Sequence, residues 1–238
     1  LIAIGRNTLQ SNTTANDNVG VGHQALNVNT TGASNVAVGR SALESNTTGN
    51  YNAACGYAAM TNTQTAYGNA GLGYEAGENV TGSYNTCCGY KAGYTTTSGE
   101  NNVILGKEAT AAGAATSNSV TLGNSSIGTL RCQVTSITGL SDERDKTAIE
   151  DLPIGLDFLN TLKPRKFTWA MREPSANDGK TQTGFIAQEL QTAIGSIDYL
   201  GGLVMDDNPN KLEAAPSTLI PVLVKAIQEL SAKVTALE

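Results

Sequence analysis

The sequence predicts a mainly β rod followed by an α+β domain that ends in a long helix. Three observations predict it. A glycine recurs from Gly5 to Gly123 at steps of 17, 17, 17, 17, 16, 17 and 17 residues. Over the three positions before most of these glycines, apolar and small residues alternate, which is the period of a strand. Near the C-terminus Ile220, Leu223, Ile227, Leu230, Val234 and Leu237 follow the 3, 4, 3, 4, 3 spacing of a heptad seam.

The repeat occupies residues 1–128. Its glycines are Gly5, Gly22, Gly39, Gly56, Gly73, Gly89, Gly106 and Gly123. Four residues before them stands an asparagine at Asn18, Asn35, Asn52, Asn69, Asn85 and Asn102, and three after them an alanine at Ala25, Ala42, Ala59, Ala76, Ala92 and Ala109. The residue just before each glycine is Ile4, Val21, Val38, Cys55, Leu72, Cys88, Leu105 or Leu122. Two before stands a small one, as in Ala3, Gly20, Ala37 and Ala54. Gly and Asn at fixed interior positions oppose a helical repeat, and the Asn-Thr-Thr-Gly runs supply turns. No single copy can bury a core, so the copies stack and like residues form columns. At about 4.8 Å per rung, eight rungs give a rod on the order of 35–40 Å long. The column just before the glycines, Cys55 and Cys88 included, is expected inside. The small-residue column is expected to let rods pack closely together. Tyr57, Tyr74 and Tyr90 share one repeat position, which suits packing or a sugar-binding strip.

Beyond Gly123 the repeat dissolves. Residues 129–140 form a junction in which 129–138 reads as one or two more strands. The second domain, 141–238, then reads as a helix near 155–162, a strand at 165–169 and a polar loop at 173–180. A strand at 183–187 runs into a helix at 188–193, and a further strand follows at 203–205. Ser217 is expected to cap the last helix, with Pro221 tolerated in its first turn. The chain begins within a repeat, so a further N-terminal part is expected.

Charge is unevenly divided. Residues 1–140 carry six acids and five bases, and 141–238 carry fifteen acids and ten bases. A net charge of -6 without clustered Lys and Arg argues against a nucleic-acid partner. The longest apolar runs are too short to span a membrane, so no membrane insertion is expected. Cys55, Cys87, Cys88 and Cys132 make no ligand spacing with one another or with the single histidine, His23. No metal and no cofactor is therefore expected, and the thiols read as buried and free. Six scattered acids offer poor material for a carboxylate-pair glycosidase in the rod.

Two resemblances add to this reading. Asn35-Val36-Ala37-Val38-Gly39-Arg40-Ser41-Ala42 resembles the head repeat of trimeric autotransporter adhesins, a motif that also occurs in phage tail fibres. That resemblance implies a trimeric parallel β-roll. Ser141-Asp142-x-Arg144-x-Lys146, Phe167-Thr168-Trp169, the run from Gly184 to Glu189 and the run from Leu219 to Leu230 resemble, in order, the intramolecular chaperone domain of phage tailspikes and tail fibres, the S74 peptidase family. It implies a homotrimer whose C-terminal domains guide folding and then cleave themselves off, assembly in the host cytoplasm and residence in the virion. It places a catalytic dyad on Ser141 and Lys146. The expected partners are two further copies and a host cell-surface receptor, a glycan being one option. The alternatives are a bacterial trimeric adhesin and a structural fibre spacer without cleavage.

The chemistry follows from the residue types. A serine hydroxyl attacks only after a base takes its proton, and Ser with Lys is an attested pairing. Lysine serves only as the neutral amine, which burial or a nearby cation favours. Arg144 is a supporting candidate for this, and Asp142 another supporting residue. A spacing of five does not make neighbours on a regular helix, so a turn or a second subunit must bring the pair together. Attack of the Ser141 hydroxyl on the Leu140 carbonyl closes a five-membered ring, making Leu140–Ser141 the expected scissile bond and Ser141–Asp142 the alternative.

Overall fold

The computed structural model describes residues 1–127, 129–131, 141–172, 177–206, 208, 210 and 212–237. Its contacts divide the chain into two units, 1–127 and 128–238. The expected junction strands fall mostly on 132–140, outside the described residues, as do Leu140, Cys132 and part of the polar loop.

The first unit is a parallel solenoid. Strands β1 (Ile2–Ile4), β2 (Val19–Val21), β3 (Val36–Val38), β4 (Ala53–Cys55), β5 (Ala70–Leu72), β6 (Thr86–Cys88), β7 (Val103–Leu105) and β8 (Val120–Leu122) pair in sequence order. The register joins like positions, Val36 with Ala53 and Val38 with Cys55. The opposite wall is also bonded between rungs: the N–H groups of Leu26, Leu43 and Met60 donate to the carbonyls of Ala42, Ala59 and Ala76.

The recurring glycine and asparagine have separate causes. Gly56 sits at φ 144, and a Cβ there would lie 2.2 Å from the carbonyl oxygen of Gly73 on the next rung. No side chain fits that approach. The asparagines form a buried ladder. Asn52 Oδ1 accepts the N–H of Asn69 at 3.0 Å, while its Nδ2 donates to the Ala66 carbonyl at 2.8 Å. One side chain thus satisfies two backbone groups that water cannot reach. Asn52→Ala strands both, at about 1–3 kcal/mol each. We expect a lower thermal or urea midpoint for the rod, and an unchanged midpoint would contradict the ladder's role.

Two interior columns exchange volume along the rod. The first four rungs place Leu9, Leu26, Leu43 and Met60 four residues after the glycine, beside Ala or Gly at mid-strand. Rungs five and six place Gly77 and Gly93 there instead. Met60 fills the fifth: Cβ atoms at Gly71 and Gly77 would each fall 2.7 Å from its side chain. In the sixth, Cys87 takes the space, since a Cβ at Gly93 would lie 2.4 Å from its Sγ. Bulk moves between wall and strand while the core stays filled, as dense interiors require. Burial pushes the Cys87 thiol up to about 12, so it packs as a small hydrophobe.

Here the structure corrects the expected facing. The mid-strand residues Ala37, Ala54, Cys87 and Ile104 point inward and are fully buried, or nearly so. The column just before the glycines points outward: Val38, Cys55, Leu72 and Leu122 are exposed in a single chain, Leu72 by 55%, and Cys88 is half-buried. The strand column is small mainly because the roll interior is narrow. It does not serve packing between rods.

The second unit contains α1 (Leu156–Leu159), β9 (Arg165–Thr168), β10 (Thr181–Gly184), α2 (Ala187–Ile194), β11 (Val204–Met205), β12 (Glu213–Ala214) and α3 (Ile220–Thr235). Phe158, Leu190, Leu200, Leu203, Val204, Leu219 and Val222 make its core. The strand expected at 183–187 lies earlier, because antiparallel pairing sets Thr181 against Thr168 and Gly184 against Arg165. Strand β12 has no counterpart in the sequence reading. Ser217 does not cap α3. It lies inside a 3-10 turn, Pro216–Leu219, that leads into the helix, and Leu219 is the N-cap residue.

Helix α3 has two apolar faces. Val222 and Ala226 are buried, and Glu229 Oε2 accepts the N–H of Leu156 at the start of α1, 2.9 Å away. A Cβ at Gly155 would lie 2.6 Å from both Glu229 oxygens, so a larger residue there would displace the Glu229 carboxylate. The heptad residues Ile220, Leu223, Ile227, Leu230 and Val234 face away and are exposed, Ile227 by 66%, as is Leu237 just beyond the helix. The helix folds back on its own unit with one face and leaves the seam open with the other.

Candidate active site

Asp142 organises the local backbone. It is the N-cap of a 3-10 turn, Glu143–Asp145, where its Oδ1 accepts the N–H of Arg144 at 2.9 Å. The guanidinium of Arg144 folds back onto the same carboxylate, with Nε donating to Oδ1 at 2.9 Å. These bonds, side chain first and then backbone, hold the Asp142 carboxyl below its ordinary range. The turn closes with the Lys146 N–H donating to the Glu143 carbonyl at 3.0 Å, and Lys146 leaves it extended.

That geometry spans the five-residue gap. Lys146 Nζ lies 2.7 Å from Ser141 Oγ. As an ammonium the amine donates to Oγ; as a neutral amine it accepts the hydroxyl proton along the same line. The contact forms within one chain, so no second subunit is needed to make it. Residues 141–198 match the family model Peptidase_S74, chaperone of endosialidase. No curated protein and no solved structure matches the chain. The Peptidase_S74 segment begins at Ser141 itself and ends before α3, so the seam lies outside it.

The two supporting candidates, Asp142 and Arg144, are bonded to each other. Arg144 forms an exposed ion pair with Asp142. The pair together shapes the turn. Ser141 and Lys146 are both exposed in a single chain. Within the Peptidase_S74 segment a second ion pair ties β9 to α2, with Arg165 Nε donating to Glu189 Oε2 at 2.9 Å. Trp169 Nε1 donates to Gln182 Oε1 across the β9–β10 hairpin at 2.9 Å. The Leu156–Glu229 clasp leaves no local signal in the sequence, because 73 residues separate its partners. Among the described residues there is no cluster of three metal-ligating side chains and no helix long and apolar enough to cross a membrane.

Proposed function

We propose that this chain is the distal part of a trimeric viral tail fibre or tailspike that attaches to a host surface. Its C-terminal unit brings three chains together and then releases itself by one internal cleavage. The observation that carries this reading is the 2.7 Å contact between Lys146 Nζ and Ser141 Oγ at the start of the matched segment.

The chemistry balances without a cofactor. Neutral Lys146 takes the Ser141 hydroxyl proton, and Oγ attacks the Leu140 carbonyl carbon. The C–N bond of Leu140–Ser141 breaks, and the proton passes to the departing Ser141 nitrogen, leaving an ester. Water then hydrolyses the ester to a Leu140 carboxylate and a free Ser141. Proximity makes the attack effectively unimolecular. Sequencing the N-terminus of the released piece tests the bond. Ser-Asp-Glu-Arg is expected, and a piece starting at Asp142 would move the cut to the alternative bond.

Assembly enters through solvation. Another copy covering the exposed dyad would remove water from it and favour the uncharged amine. Each unit carries an exposed apolar stripe suited to such a copy: the Val38, Leu72 and Leu105 column of the rod, and the α3 seam. Val38→Asp should therefore leave each chain folded but unassembled, because three unpaired carboxylates would be buried at the rod interface at several kcal/mol each. Light scattering checks this, and a Val38→Asp trimer would overturn the interface.

A further inference from the structure

We infer that Tyr51, Tyr67 and Tyr84, grouped around Gly68 on the rod, form a binding site for a neutral oligosaccharide. The inference rests on the attachment reading above and gives it an address. Three observations carry it.

The first is backbone conformation. Five residues before the repeat glycine, every rung from the second to the eighth places a residue at φ near +60: Asp17, Ser34, Tyr51, Gly68, Tyr84, Asn101 and Asn118. Asp, Ser, Asn and Gly tolerate that region, whereas a bulky aromatic is unusual there. Burial does not explain the two tyrosines, since Tyr51 is 71% exposed and Tyr84 56%. The rungs also place Gln24, Glu75 and Lys91 at positive φ, so the conformation alone does not single out the tyrosines; exposed aromatics in a column otherwise of Asp, Ser, Gly and Asn point to something outside the chain.

The second is the orientation of the rings. Tyr67 and Tyr84 meet edge to face, with centroids 5.0 Å apart. Tyr84 leans over Gly68, where a Cβ would lie 2.9 Å from its ring. Tyr51 stands two rungs from Tyr84, about 10 Å along the axis. The glycine makes room for the Tyr84 ring to lie against the rod, and the edge-to-face pair leaves ring surface free. The other ladder is different. Tyr57, Tyr74 and Tyr90 stack nearly parallel at 5.1 and 5.3 Å, and Arg40 covers the outer face of Tyr57. Their faces are already used, so the C–H face of a sugar ring has nowhere to lie.

The third is charge. The two columns around the site hold no Lys or Arg; Ser34 and Asn101 are their accessible polar neighbours, whereas Ser83 is buried beneath the Tyr67 N–H and Asn50 is bonded to Ala33 and Thr48. First the hydrogen bond with Tyr67, and last the charge of Glu100, push the Tyr84 phenol up. An acidic glycan would meet no cation here. A neutral one finds aromatic faces, hydroxyls and amides, the mixture that recognises sugars without charge.

The test probes the intact protein with an array of neutral, sialylated and sulfated oligosaccharides, and titrates the strongest neutral binder. Tyr51→Ser and Tyr84→Asn use residue types that the same column carries elsewhere, so the rod should fold. Each should weaken neutral-glycan binding at least tenfold, while Tyr74→Ala and the oligomeric state stay unchanged. Glycan binding that survives both substitutions would overturn the site, and so would binding of acidic glycans alone. Loss of the trimer in Tyr51→Ser would make these tyrosines an interface between copies and overturn it as well. Adsorption to bacterial envelopes separates the two readings. If the protein and both variants adsorb equally, the attachment reading stands and this site falls. If neutral glycans bind at these tyrosines but no envelope does, the site stands and the attachment reading falls.

Discussion

A Ser141→Ala chain stays whole. Freshly made protein should run as two bands, residues 1–140 and 141–238, whereas Ser141→Ala should give a single band from an equally assembled oligomer. Without Oγ the proposed nucleophile is gone, and the cleavage rate should fall by on the order of 10⁶-fold, as when a nucleophilic serine is removed from other peptidases. Lys146→Ala should behave alike. Lys146→Arg is the sharper variant. A guanidinium can still donate to Ser141 Oγ, but it cannot be deprotonated in a protein and so cannot accept the proton. Cleavage in Lys146→Arg at the normal rate would show that Lys146 positions the serine without serving as its base. In the unchanged chain the rate should be independent of protein concentration once trimers exist, because the attack is intramolecular.

The second large effect comes from substitutions in α3, which lies outside the dyad turn. Leu223→Asp with Leu230→Asp should abolish both trimer formation and cleavage. Both side chains are exposed in the single chain, and the face that packs on the unit, Val222 and Ala226, is untouched. The unit should therefore keep its fold by circular dichroism. Each carboxylate buried unpaired in a three-chain seam costs several kcal/mol, so two per chain should weaken assembly by at least about 10³-fold. The dyad of a monomer would remain in water and stay uncut. A monomeric double variant that cleaves normally would break the link between assembly and chemistry, and Ser141 would be a reactive linker residue with no dependence on its neighbours.

Some of this was legible from spacing alone. The glycines from Gly5 to Gly123 announced a stacked repeat, because a close backbone approach tolerates no side chain in any rung, and Gly56 shows how close it is. The asparagine column was equally visible, although not its reason: which backbone groups Asn52 satisfies depends on rungs above and below it. Ser141 and Lys146 could be named as candidates from residue type and order. The seam of α3 could be read from its 3, 4, 3 spacing because periodicity is a property of one helix.

What the sequence determined, then, was every property that repeats along the chain: rung length, strand position, the glycine and asparagine columns and the heptad seam. The tertiary structure decided the rest. Alternation distinguishes the two faces of a strand but not which one is inside. The narrow interior took Ala37 and Ala54 and turned Val38 and Leu72 outward. The exchange of Met60 and Cys87 against Gly71, Gly77 and Gly93 required knowing which columns touch. The Ser141–Lys146 contact needed a 3-10 turn, capped by Asp142, to bring residues five apart within 2.7 Å. Facing, volume matching and closure are distances between parts of the chain that sequence order leaves open, and only packing in three dimensions fixes them.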